Sequence, residues 1–518
     1  MRGGFKEVED EYSSLATKYN APSSAWLELI ETELGVDGRK FLLTMLQAHA
    51  NNRGTGDVGP SLQAADGENL THRRVIPRTL HTMFGDITIE RMGYSHRYHD
   101  ALFPLDALMN LPISSFSAGL QKFIASRIAK TPFSDVLQQL KELTGVSVAP
   151  PQAIEIAQQC AVDFTAFYAE KEGEKSDGYH PILVLTTDGK GVVMRPDGLR
   201  EETRERAEKA KPAMKKRLAP GEKANRKRMA QVASVYFIKR FPRNSEDIIN
   251  ELAHVEAQKH RPRPNRKRVW ASLEDDADVV IKAMFAEAHK RDPKHRREWV
   301  ILVDGAKHQL RVVRSLAQKE GVNATIILDI MHVIEYLWNA ARAFLADKDH
   351  RGCERWVEDQ LQRILDGDAG KVAGTVRLQV AKRKLEEAKA KAATACADYI
   401  SRRKAYMRYD LFLKRGYPIA SGAIEGACRH LIKDRMDVTG ARWTLGGAEA
   451  VLKLRSLVSS GDFEDYWAFH RRQEHERSHL SCFDDPKQLA PKQQSQISDK
   501  KSEETPRKPG GRSKGRGR

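Results

Sequence analysis

The chain has 518 residues, 40% of them hydrophobic and 30% charged, a balance that excludes a disordered chain and leaves room for two to four domains with cores of their own. Its 87 Lys and Arg outnumber 70 Asp and Glu, for a formal charge of +17; the excess favours a polyanionic partner, nucleic acid first, although a merely basic enzyme fits it as well. The polar residues 1–12 lack the apolar segment of a signal peptide, no run is long enough to span a membrane, and five scattered cysteines without a CxxC pair speak for a reducing cytosol rather than a disulfide frame or zinc cluster.

Residues 1–55 read as helices with apolar faces at Leu27, Leu29, Leu42, Leu43 and Leu46, and 51–69, rich in Gly, Asn and Asp, as a loop. Ile87 and Ile89 alternate with Thr88 and Glu90 beyond a Gly85-Asp86 turn, so 78–94 is expected to be a β-hairpin. Its arginines, Arg73, Arg74, Arg78 and Arg91, are placed to meet phosphates or simply solvent. From Ser117 the pattern turns helical. Ser134 is the expected N-cap of a helix with Val136, Leu137, Leu140 and Leu143 on its apolar face; Gly145 stops it, and a second helix starts at Pro151. The pair resembles a helix-turn-helix, whose second helix would carry Gln152 and Glu155 toward base edges, but any helical corner reads the same way.

At His180 the period changes to two. Ile182, Val184, Thr186 and Asp188 fall on one strand face, so Asp188 is expected to end a buried strand, Gly189-Lys190-Gly191 to turn the chain, 192–194 to be a second strand and 229–241 a third. Between them, 195–228 is crowded with charge and reads as a solvated helix pair or a basic arm. Residues 259–270 read as a basic, proline-broken loop suited to a phosphate backbone or to a linker. Val300, Leu302 and Asp304 share a face of a fourth strand, and a fifth ends at Asp329. Residues 333–415 read as an all-helical insertion. The amphipathic helix after it buries Ile424, Ala427, Cys428 and Leu431, with Glu425 beside that stripe and Arg429 and Lys433 one and two turns on. The tail from Asp485 is basic, low in complexity and expected to be disordered.

Three carboxylates stand out by position: Asp188 ends the first strand, Asp304 the fourth, and Glu425 sits on a late helix. In a mixed five-stranded sheet of RNase H type the first and fourth strands are neighbours, so their ends meet and a packed helix can add the third group. Each aspartate alone could equally cap a strand or turn. Three carboxylates converging in a basic protein call for Mg²⁺ or Mn²⁺, two of which can clamp the attacking and leaving oxygens of a phosphodiester.

The segments TTDGKGV around Asp188, LVDGA around Asp304, LDIMHVIEYLW and SGAIEGACRHLIKDRMDVTGARW together resemble the DDE transposases of bacterial insertion sequences, over about residues 75–470. The similar group is the ISKra type, related to the Mutator-like transposases. The resemblance implies an α/β, RNase H-like core with flanking helices, in which Asp188, Asp304 and Glu425 bind two Mg²⁺ or Mn²⁺ ions. It implies a mainly helical DNA-binding region over 1–175, a core over 176–332 and 416–475 split by the insertion at 333–415, and a basic tail at 485–518. Asp329 and His332 match its D-x-x-H motif, with DNA positioning or plain helix capping as the two readings. Arg429 and Lys433, and more remotely Lys190 and His308, are candidates for phosphate contacts. The partners implied are transposon ends and target DNA, with no membrane, a homo-oligomer and a bacterial cytoplasmic, nucleoid-associated setting. An RNase H-like nuclease or resolvase without strand transfer, and a DNA-binding regulator with structural carboxylates, are the alternatives.

Overall fold

The computed structural model describes residues 5–21, 23–209, 226–253, 261–346, 349–438, 441–485 and 489. Residues 210–225 of the charged segment, the start of the 259–270 stretch and the tail from 490 therefore lie outside the described residues. The chain divides into two compact units, 1–80 with 87–113 and 475–518, and 81–86 with 114–474. No helix among the described residues is long and apolar enough to cross a membrane.

In the smaller unit, helices Lys6–Asn20 and Leu27–Asn52 are joined by Lys18 and Tyr19, whose side chains donate to Asp37 at 2.8 and 3.0 Å. Leu43 and Leu46 pack on Leu80, Ile87, Ile89 and Leu105. Leu27, Leu29 and Leu42 are exposed instead of forming the expected apolar face. The expected hairpin is present and longer, with strands His72–Thr82 and Gly85–His96 and a third strand, His99–Leu102, completing the sheet. Three of its arginines are engaged by carboxylates. Arg78 and Arg91 both pair with the buried Asp106, Arg91 lies 3.9 Å from the Phe103 ring, and Arg73 pairs with Asp57 at 3.1 Å. The two pairs on Asp106, inside a low-dielectric pocket, serve the unit itself rather than a passing phosphate, whereas the Arg73 pair lies at the surface.

The larger unit is built on a mixed sheet of β1 (Ile182–Val193), β2 (Lys227–Ile238), β3 (Asn265–Ser272), β4 (Glu298–Val303) and β5 (Ala324–Leu328). The spatial order is β3-β2-β1-β4-β5, antiparallel from β1 to β3 and parallel from β1 through β4 to β5. Both faces are covered, which is why the parallel strands read as near-continuous apolar runs. Leu183, Leu185, Ile301 and Val303 face one core, shared with helices α1 (Ala277–Arg291) and α2 (Lys307–Lys319). Ile182, Val184, Val300 and Leu302 face the other, shared with α3 (Ile330–Phe344), α4 (His350–Leu365), α5 (Ala369–Lys382) and α6 (Glu387–Arg403). These last four helices occupy the expected insertion.

The strand boundaries correct the sequence reading in two places. Gly189-Lys190-Gly191 does not turn the chain. β1 runs straight through it, paired with Gln231, Ala230 and Met229, and residues 192–193 are its end rather than a second strand. The glycines serve a close cross-strand approach, since a Cβ on Gly191 would lie 2.9 Å from the Lys227 side chain and one on Gly189 3.2 Å from Met229. Part of the expected basic loop is the third strand instead. Arg268 is accommodated there because its guanidinium stacks on Tyr168 at 3.5 Å and pairs with Glu287, so a strand can carry a charge that reads as a loop.

The helix pair is Phe133–Thr144 and Pro150–Gln159. Pro132, not Ser134, is the N-cap, and Ser134 Oγ donates to Asp135. Gly145 closes the first helix at φ +74°, as expected. Val136, Leu140, Ala153 and Ile156 join the core that holds Ile424, Leu431 and Leu452, so the pair belongs to the larger unit rather than to a separate N-terminal region.

Candidate active site

The apolar alternation of β1 ends at Thr186 and Asp188, on the face continued by Ile182 and Val184. Asp188 is partly exposed, and its Oδ1 accepts from the Gly189 N–H at 2.6 Å. It sits within β1, not at its end. The parallel pairing of β1 and β4 sets Thr186 opposite Leu302, and Asp304 is the first residue but one beyond Leu302, just past the end of β4. Asp304 Oδ1 accepts from the Ala306 N–H at 2.7 Å. Its backbone is clamped from α6. Tyr399 Oη donates to Asp304 O at 2.7 Å and Arg403 Nε to Gly305 O at 2.6 Å. Gly305 has φ +85°, and a Cβ there would collide with Leu328 and Arg403, so only glycine lets β4 turn into α2 at this point.

Asp329 follows β5 and caps α3, accepting from Met331 N at 2.9 Å, as the capping reading expects. It is buried and does more than cap. Ser421 Oγ donates to its Oδ2, and His332 Nδ1 stands 3.6 Å from the same oxygen. Ser421 O in turn accepts from Ile424 N and Glu425 N, which starts α7 (Gly422–Ala427). The end of β5 thus fixes the helix that carries Glu425. Ile424, Ala427, Cys428 and Leu431 are buried as expected. The helix is not regular, however. Cys428–Lys433 is a π-helical stretch, which widens the turn and lets Ile432 join Leu431 in the core. Such stretches recur at functional sites.

The Asp188 charge acts on both Asp304 and Glu425. Burial, and then the Asp188 charge, push the Asp304 carboxyl above the ordinary range, against the Ala306 N–H and the positive charges of His332 and Arg403. Partial burial, then Asp329 and Asp188, raise Glu425 as well, with His332 opposing. Asp329 holds the His332 imidazole protonated, with its pKa raised to about 9 against the effect of burial. Cys428 Sγ donates to Asp188 Oδ2 at 3.1 Å, and burial followed by the Asp188 charge keeps that thiol protonated.

The other candidates lie apart from this group or are only loosely held. Lys190 shares the Asp188 face of β1 and is exposed. Arg429 and Lys433 are exposed too, Arg429 with Asp434 at 3.8 Å. His308 turns to Asp278 and Arg311 instead of the carboxylates. Gln152 and Glu155 are exposed near the start of their helix, and Gln152 Oε1 accepts from Ala149 N at 3.0 Å. Neighbouring Arg435 is structural, donating to Ile128 O and lying on Trp443. The sequence reading missed Ser421, Tyr399 and Arg403. The contact of Cys428 with Asp188 escaped it too, because it joins residues far apart in the chain.

As they stand, no three His, Cys, Asp or Glu side chains among the described residues are close enough to hold one metal ion. The donor chemistry fits a hard cation all the same: oxygen ligands only, and two carboxyls whose pKa is raised partly by the third, a repulsion that a divalent ion would relieve. No protein-family model matches this chain, and no curated protein matches it.

Proposed function

We propose that this chain is a DNA transposase of an insertion sequence, of the ISKra type that its motifs resemble, built on an RNase H-like core. It binds terminal inverted repeats, hydrolyses a phosphodiester at each end and joins the freed 3′-hydroxyl to target DNA. The observation that supports the reading is the placement of Asp188 on β1, Asp304 just beyond the adjacent β4 and Glu425 on a helix tied to the end of β5. The strand order, with β1 central between an antiparallel meander and a parallel pair, supports the same fold.

Asp188, Asp304 and Glu425 would hold Mg²⁺ or Mn²⁺, which supplies positive charge to the attacking and leaving oxygens of the phosphodiester. His332 and Arg403 add fixed positive charge near Asp304. The exposed Lys190, Arg429 and Lys433 are placed for the DNA backbone. The acidic helical pair of the smaller unit, with eight carboxylates against four Lys and Arg in residues 6–52, is a poor phosphate surface. DNA contact is therefore assigned to the larger unit and the basic tail, and two ends brought together require at least a dimer. A labelled transposon end incubated with Mg²⁺ and supercoiled target tests the reading. Nicking with a joined product supports a transposase. Nicking alone reassigns the chain to the nucleases, and no metal-dependent nicking leaves a DNA-binding protein with structural carboxylates.

A further inference from the structure

Of the twenty-two large hydrophobic side chains exposed among the described residues, nine fall within residues 5–45. The helix Leu27–Asn52 gathers several of them into a stripe. Leu27, Leu34, Gly35, Gly38, Leu42 and Met45 stand at i, i+7, i+8, i+11, i+15 and i+18, one line along a helix of about 3.6 residues per turn. Two other sides of this helix are taken. Asp37 and Phe41 meet Lys18 and Tyr12 of the preceding helix, and Leu43 and Leu46 pack on Leu80 and Ile89. The stripe itself is open among the described residues. Its four large side chains are 40–80% exposed, and a Cβ on Gly35 or Gly38 would meet no atom within 4 Å. Two glycines inside a long helix weaken it relative to alanine, and what they offer in return is close approach of another backbone.

Charge selects the occupant. The excess of carboxylates over Lys and Arg on this helical pair turns nucleic acid away. Along the helix the signs are split: Glu28, Glu31 and Glu33 precede Gly35, whereas Arg39 and Lys40 follow it. The same helix of a second copy, laid antiparallel, brings each acidic half level with a basic half. A parallel copy sets like signs together.

We propose that the stripe is a self-association surface, on which the Leu27–Asn52 helices of two copies pack antiparallel about a two-fold axis level with Val36. Such an interface uses the same patch twice. Leu27 comes level with the partner's Met45, and Leu34 with the partner's Gly38, where the missing side chain leaves room for it. The surface is where the dimer expected of a transposase forms, and to that extent it rests on that reading.

The test is the mass of the full chain in solution without DNA, by light scattering, and twice the chain mass is expected. Leu34→Glu sets a charge at the centre of the stripe and should weaken association on the order of tenfold or more. Val36→Glu sets the same charge on the opposite side of the helix, at a position 54% exposed, and should leave the dimer intact. Both variants should keep the native melting temperature. Under oxidation Leu34→Cys should cross-link to itself across the axis beyond the native background, and Leu27→Cys only when combined with Met45→Cys. A monomeric native chain overturns the proposal. So does a dimer that Leu34→Glu leaves unaltered or that Val36→Glu weakens equally, and so does a Leu34→Cys chain that fails to cross-link. Self-cross-linking of Leu27→Cys overturns the antiparallel order. Metal-dependent nicking is read separately: its absence from an intact dimer overturns the enzyme reading and leaves the surface standing.

Discussion

At the scale of single residues, His332, Asp304 and Glu425 all hold their protons more tightly in the folded chain. His332 has its pKa raised from 6.5 to about 9, chiefly by Asp329. The folded state therefore holds that proton more tightly than the unfolded chain. The stabilisation is complete below the ordinary histidine pKa and is lost as pH rises through the raised value. His332→Gln is expected to lower stability by about 1–2 kcal/mol near pH 6, after allowance for solvent screening, and to match the native chain above about pH 10. Denaturant melts across pH check this; a difference that does not shrink with rising pH would show the loss to be packing alone. Asp304 and Glu425 run in the same direction at lower pH, between the ordinary carboxyl range and their raised values. Their raised pKa values mean that the native site costs stability as pH rises and they ionise. Asp188 and Asp304 were legible in the sequence because a carboxylate continuing an apolar strand face has no packing role. The Asp329–Ser421 contact was not legible, since it joins residues 92 apart and neither residue type is unusual in a turn.

At the scale of elements, the reading succeeded where periodicity was clean and failed where residue type stood in for geometry. The alternation of Ile182, Val184, Val300 and Leu302 located β1 and β4, although β1 runs on to Val193 past its expected end at Asp188. Glycines read as a turn at 189–191 are close-packing positions in a straight strand, and Arg268 of β3 reads as part of a loop because its partners, Tyr168 and Glu287, lie elsewhere in the chain. The π-helical stretch after Glu425 has no sequence signal at all. Gly305 is the element-scale hinge. It takes φ +85° between β4 and α2, with Leu328 and Arg403 pressed against it. Gly305→Ala is expected to cost about 1–3 kcal/mol and to disturb the Tyr399 and Arg403 clamp on the Asp304 backbone. Thermal unfolding together with metal-dependent nicking reads both effects. An unchanged melting temperature would mean that the turn relaxes freely and that Asp304 is not held by it.

At the scale of the whole molecule, charge is distributed unevenly. Residues 490–518 hold nine Lys and Arg against three Asp and Glu, while the first helical pair is acidic. The tail is expected to add sequence-independent affinity through counterion release, each phosphate contact contributing about 0.9 to the salt slope. A chain ending at Leu489 should therefore bind all duplexes more weakly, with a flatter dependence on salt. An unchanged slope in a gel-shift series would remove the tail from the DNA surface. The central claim is that Asp188, Asp304 and Glu425 act together on a phosphodiester through a divalent ion. Its most direct test is Mg²⁺-dependent nicking of a labelled transposon end by Asp188→Asn, Asp304→Asn and Glu425→Gln, run beside a gel-shift on the same preparations. Each substitution keeps shape and removes one anionic ligand, so nicking should fall on the order of 10³ or more while DNA binding and folding persist. Near-native nicking by any one of the three would contradict the account and take that carboxylate out of the site.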